Sequence, residues 1–140
     1  MRHIAFLILN LAVFIATPAH FSFAQAYFEV GFKGSPDKFV IKLVKEDQIA
    51  HARMILRKEP TAKTHILGTI VKSRAIYNAR WGFYLEPTSI GFFENITAIC
   101  DASPQYIENN LVSIGSDILP KSLWCPLSSQ LSREVLIRHL

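Results

Sequence analysis

The chain has 140 residues, with 15 Lys and Arg against 11 Asp and Glu for a formal charge of +4, and half of it is hydrophobic. That basic excess is mild and dispersed, without basic runs interleaved with aromatics, so it argues against a phosphate-binding nucleic-acid domain. Two cysteines 25 positions apart, with no CxxC and no neighbouring histidine pair, make a poor zinc site, and no motif calls for a cofactor.

Residues 1–26 read as a cleaved secretory signal. Arg2 and His3 form a short basic start, Ile4 to Ala16 is apolar except for Asn10, and Ala24-Gln25-Ala26 supplies a small-x-small cleavage pattern. An apolar run of about thirteen residues falls short of the roughly twenty that a membrane-spanning helix needs. The mature chain, residues 27–140, is then a single secreted or periplasmic domain with no membrane span. Loss of Arg2 leaves it 14 Lys and Arg against 11 Asp and Glu, a charge of +3.

Tyr27 to Lys33 alternates Phe28, Val30 and Phe32 against Tyr27, Glu29, Gly31 and Lys33, the pattern of a half-buried strand. Gly34-Ser35-Pro36-Asp37 has the composition of a turn, and Phe39 to Val44 resumes as the second strand of a hairpin. From Lys45 to Lys58 the period becomes helical: Ile49, Ala52, Ile55 and Leu56 share a face, acids lie in the first turn, bases in the last, and Pro60 ends the run. Its narrow apolar stripe suits packing on a sheet better than a membrane surface.

Residues 64–94 concentrate the β-branched and aromatic side chains. His65 to Lys72 is apolar on both faces, as in a central strand. Ser73 to Arg80 reads as a loop. Trp81 to Glu86 alternates Trp81, Phe83 and Leu85 against Gly82, Tyr84 and Glu86, so it pairs antiparallel with the strand before it, and Pro87 stops it. Apolar spacing then predicts helices over about Phe92–Ala102 and Pro104–Ile114, with Ser103 as N-cap and Gly115 as stop, although Glu94, Ile96, Ala98 and Cys100 also alternate as a strand would. A short helix is predicted over Ser129–Ile137.

An even cysteine count in an exported chain points to a Cys100–Cys125 disulfide. Closing that loop stabilises the fold by about 3.5 kcal/mol in the chain-entropy picture. The expected architecture is α+β: an antiparallel sheet of about four strands with two or three helices packed against it, and one disulfide.

The phrases YFEVGFKGSPDKFVIKL, IAHARMIL, THILGTIVK, YNARWGFYLEP, CDASPQYIENNL and WCPLSS cover nearly all of the mature chain. Together they resemble a family of small exported domains, frequent in bacteria, similar to the N-terminal domain of a slime-mould calmodulin-binding protein. The resemblance implies a shared disulfide, since Cys100 and Cys125 fall in its CDA and WCP phrases. It implies no catalytic residue, and the calmodulin label does not carry over to an exported chain.

Catalytic constellations are sparse. A cysteine hydrolase would need Cys100 as a free thiolate beside His65 or His51. Asp101 with Glu94 or Glu108 is the nearest thing to a carboxylate pair, and His51, His65 and Asp101 have no reason to converge on a metal. Asn95-Ile96-Thr97 matches a glycosylation sequon, relevant only in a eukaryotic source. Recognition is the stronger reading: Tyr77, Asn78, Arg80, Trp81 and Tyr84 gather aromatics, an amide and a guanidinium in and beside one loop, suited to a protein loop or a sugar ring. Trp81 by itself reads equally well as core. The expected function is thus a binding or inhibitor-like module with a protein or glycan partner outside the cytoplasm; the alternatives are the cysteine hydrolase and a structural accessory domain.

Overall fold

The computed structural model describes residues 24–58, 64–95 and 98–138. The predicted signal therefore lies almost wholly outside the described residues, as does Pro60.

β1 (Ala26–Phe32) and β2 (Ser35–Leu43) form the antiparallel hairpin. It starts one residue earlier than predicted, since Ala26 is buried and pairs with Leu43. The turn is also tighter. Gly34, at φ +80, lets the chain reverse over Lys33 and Gly34 alone, a conformation that costs glycine little. Pro36 and Asp37 consequently fall within β2, at the step in register between Gly31↔Lys38 and Phe32↔Ser35. There the ladder is interrupted, so a proline without an N–H is tolerated.

α1 (Glu46–Arg57) buries Ile49 and Ala52, with Ile55 and Leu56 partly covered, as the spacing predicts. β9 (Ser129–Val135) lies along the other side of β1, giving a three-stranded sheet in the order β2-β1-β9. This corrects the helix predicted over Ser129–Ile137. The open edge of β1 offers a ladder of backbone partners, and α1 is tied to the new strand by a bidentate Arg53–Glu134 pair. Local helix propensity is overridden by these contacts across the chain.

β3 (His65–Val71) is the centre of a second sheet. On one edge β5 (Gly91–Phe93) pairs with its first half and β4 (Tyr84–Leu85) with its end, while β8 (Leu123–Trp124) pairs with Gly68 and Thr69. Trp81, Phe83 and Leu85 are buried as their alternation predicts, yet only Tyr84 and Leu85 form a ladder. After Leu85 a short Pro87–Ser89 turn takes over, in which Glu86 N–H donates to the Thr69 carbonyl and Ser89 Oγ accepts from Thr69 N–H.

The helix predicted over Phe92–Ala102 is absent. Phe92 and Phe93 are spent on pairing with Ile66 and His65, and only Ala98–Cys100 forms a single helical turn. α2 (Pro104–Asn109) begins where predicted, with Ser103 Oγ accepting from Tyr106 N–H, but is only six residues long. Beyond it a turn at Leu111–Ser113 leads into β6 (Ile114–Gly115) and β7 (Ile118–Pro120), a short parallel pair. The α+β class and its antiparallel sheets are as expected. The helical content is smaller, because two predicted helices are claimed as strands by unpaired edges.

The core lies between the two sheets. Phe39, Phe83 and Trp124 meet with ring centroids 5.1–5.7 Å apart, and Phe32 stacks on Trp124. The disulfide joins Cys100 to Cys125 with Cα atoms 5.2 Å apart. Cys125 N–H also donates to the Cys100 carbonyl, and Trp124 Nε1 to that of Ala102. The staple thus fixes the tryptophan strand against β3.

Candidate binding groove

Each of the five residues singled out in the sequence has a definite place along the outer edge of β2. Ile76–Asn78 forms one helical turn inside the loop. Asn78 is buried, and its amide matches one backbone residue: Val40 N–H donates to Asn78 Oδ1 at 2.7 Å, and Asn78 Nδ2 donates to the Val40 carbonyl at 2.6 Å. Trp81, only 1% exposed, donates from Nε1 to the Lys38 carbonyl at 2.8 Å. These two side chains stand where a further strand would pair, blunting the edge. Arg80 is exposed; it lies 4.7 Å over the Trp81 ring and pairs with Asp37 at 2.9 Å. The polar atoms of Asn78 and Trp81 are therefore engaged within the fold.

Tyr77 and Tyr84 face another way. Tyr77 packs between Tyr27, at 5.2 Å between centroids, and Tyr84, at 6.4 Å. Burial, reinforced by Tyr84, Tyr27 and Glu86, pushes the Tyr77 phenol up to about 12. Its hydroxyl is consequently a neutral hydrogen-bonding group at physiological pH, in keeping with an ordinary phenol. Beside the two rings opens a shallow recess of about 340 Å³, lined by Lys42, Arg74, Ile76, Tyr77, Tyr84 and Pro87 among others. Ile76 is 75% exposed at its rim. Lys42 Nζ sits 5.9 Å from the centre of the Tyr27 ring, and Arg74 reaches the Ala79 carbonyl, which steadies the loop.

Tyr77 and Tyr84 are thus brought together, while Asn78, Arg80 and Trp81 gather at the hairpin edge. Lys42, Arg74, Ile76 and Pro87 were not singled out from the sequence. An isolated isoleucine in an otherwise polar loop was the signal for Ile76. Lys42 had none, because its proximity to Tyr77 depends on how β2 meets a loop more than thirty residues away. A second depression, of about 370 Å³, lies at the hairpin end between Lys33, Lys38, Gln130 and Ser132, without an accessible tyrosine.

The remaining candidates are engaged singly. His51 sits edge-on to Phe92, and His65 stacks near Phe93 with Nδ1 2.9 Å from the Ser129 carbonyl. Asp101 accepts from Leu127 N–H and Glu108 from Gly82 N–H. Asn95 is exposed, with Ile96 and Thr97 outside the described residues. Among the described residues no group of three or more His, Cys, Asp or Glu could hold a metal, and no helix is long and apolar enough to cross a membrane.

Fold and site together define a small α+β domain, stapled by one disulfide, that carries a tyrosine-lined recess beside a sealed sheet edge. The chain belongs to the family named for the N-terminal domain of a calmodulin-binding protein, whose model matches residues 24–138, the family to which the sequence phrases pointed. Neither the curated proteins nor the solved structures contain a match to it.

Proposed function

We propose that the domain is a binding or inhibitor-like module that acts outside the cytoplasm and holds a protein or glycan partner in the Tyr77–Tyr84 recess. The observation that carries this reading is the recess itself: an exposed isoleucine, two tyrosines, a proline and two cations on a turn anchored to β2 by Asn78 and Trp81. A rigid aromatic surface with polar rims is what recognition sites use, because little side-chain entropy is lost on binding. The disulfide suits an oxidising compartment. The cysteine-hydrolase alternative needs a thiolate at Cys100, and that sulfur is bonded to Cys125 and buried.

The test uses the immobilised domain and the extracellular fraction of its own host. Ile76→Asp, at an exposed rim position, is expected to abolish capture of a retained partner while leaving the melting temperature within about 1 °C. Capture that survives both Ile76→Asp and Tyr84→Ala places binding elsewhere. A domain that retains nothing is the structural accessory.

A further inference from the structure

We propose that the occupant of the recess is an extended acidic peptide segment of a partner protein, laid along the outer edge of β2 at Lys42. This rests on the binding-module reading and narrows it to a peptide backbone. β2 has a strand on one side only, β1. In an antiparallel ladder the N–H and C=O of one residue point the same way, and successive residues alternate. Asn78 takes both groups of Val40, so Val40 faces the outer edge. Trp81 takes the Lys38 carbonyl on that same edge, two residues before. Lys42 lies two residues after Val40 in unbroken register, so its N–H and C=O turn the same way. No side chain among the described residues caps them. The edge is sealed where the loop crosses it and open where the recess begins.

The surrounding side chains define what would pair there. Tyr77, Tyr84, Pro87 and Ile76 offer apolar surface. Arg53, Arg80 and Arg133 each pair with a carboxylate, whereas Lys42 and Arg74 pair with none among the described residues. Two unneutralised cations at the rim favour an acidic side chain by charge complementarity. An extended peptide meets all three conditions: it pairs with Lys42, seats an apolar side chain against Ile76 and the tyrosines, and places the next acidic residue near the cations, the usual division of labour in strand addition. A sugar ring would stack on a tyrosine but has no donor and acceptor at strand spacing.

The probe is a capped octapeptide of alternating leucine and aspartate, titrated into the isotope-labelled domain and followed by amide shifts. A leucine–asparagine peptide and a sulfated oligosaccharide serve as comparators. Saturable shifts are expected at Lys42, Ile76 and Tyr84, with binding about tenfold weaker in the Lys42→Glu/Arg74→Glu variant. N-methylating alternate peptide amides should abolish binding in one phase and spare it in the other. Equal binding of the asparagine peptide overturns the acidic specification, and indifference to N-methylation in both phases overturns the edge pairing. Shifts from the oligosaccharide alone overturn the peptide occupant. If no probe moves the recess while partner capture still depends on Ile76, this inference falls and the binding-module reading stands.

Discussion

Asn78→Ala would strip the outer edge of β2 of its tightest tie. The amide at present satisfies both polar groups of Val40, in a bond 38 residues long in sequence, at 2.7 and 2.6 Å. Alanine leaves a donor and an acceptor unpaired beside a buried loop, at about 1–3 kcal/mol each. Because these bonds are only part-buried, water recovers some of that, and the net loss is set at about 2–4 kcal/mol, a large fraction of the 5–15 kcal/mol typical of a domain. Urea unfolding reads it directly. With a slope of about 1.5 kcal/mol/M, the midpoint should fall by roughly 1.3–2.7 M without a change in slope.

Asn78→Asp sharpens the test. The carboxylate keeps the acceptor for Val40 N–H but faces the Val40 carbonyl without a donor, whereas the protonated acid restores one. Its folded pKa is therefore raised above the unfolded value. Stability from that proton is fully present below the unfolded pKa and is lost as pH rises through the folded one. The aspartate variant should approach the native protein at about pH 3 and fall behind it at about pH 7. A loss under about 0.5 kcal/mol for alanine, or a gap for aspartate that does not change with pH, refutes the tie.

Hydrogen bonding from Arg133 holds the Glu29 carboxyl below its ordinary 4.5, and Arg53 does the same for Glu134. Depressed folded values contribute stability above the unfolded pKa and lose it as pH falls through the folded one. Stability should therefore decline below about pH 4.5, less steeply in an Arg53→Met/Arg133→Met variant; identical acid limbs would refute the assignment. Of the four tyrosines, Tyr77 should ionise late, near 12 where 10.0 is ordinary, so that ultraviolet titration shows a delayed step absent from Tyr77→Phe. Any stability it confers is present below 10.0 and lost on the way to 12; a single step near 10.0 for all four contradicts its burial. Replacing both Cys100 and Cys125 by alanine should cost about 3.5 kcal/mol, or roughly 10–20 °C in melting temperature. In the native protein alkylation should require both reductant and unfolding, because both residues are buried, and labelling without reductant would disprove the bond.

Much of the fold was legible because its signals are local. The hairpin strands, α1, β3 and the burial of Trp81, Phe83 and Leu85 each follow from periodicity over a few residues. The turn at Lys33 and Gly34 was placed late because Pro36 and Asp37 signal a bend that Gly34 had already made. Ser129–Val135 carries a helical spacing that fits a strand equally well, and it became β9 because β1 had an open edge about a hundred residues upstream. Phe92 and Phe93 were likewise taken by the open half of β3.

The site divides along the same line. Tyr77, Asn78, Arg80, Trp81 and Tyr84 are close in sequence, so their concentration in one region was visible from composition alone. Which of them would be spent on the fold was not, because a buried amide and an indole N–H are engaged or free according to what backbone stands opposite, here Val40 and Lys38. By itself, then, the sequence determined the strand and helix periods, the single possible cysteine pairing and the loop rich in polar aromatics, all properties of neighbours along the chain. Only the tertiary structure decided that Asn78 and Trp81 seal the edge of β2, that Tyr77 and Tyr84 line the recess, and that Lys42 lies where the edge reopens. Those outcomes depend on hydrogen-bond partners brought together from about forty residues apart, whose positions are fixed only once two sheets close on one core.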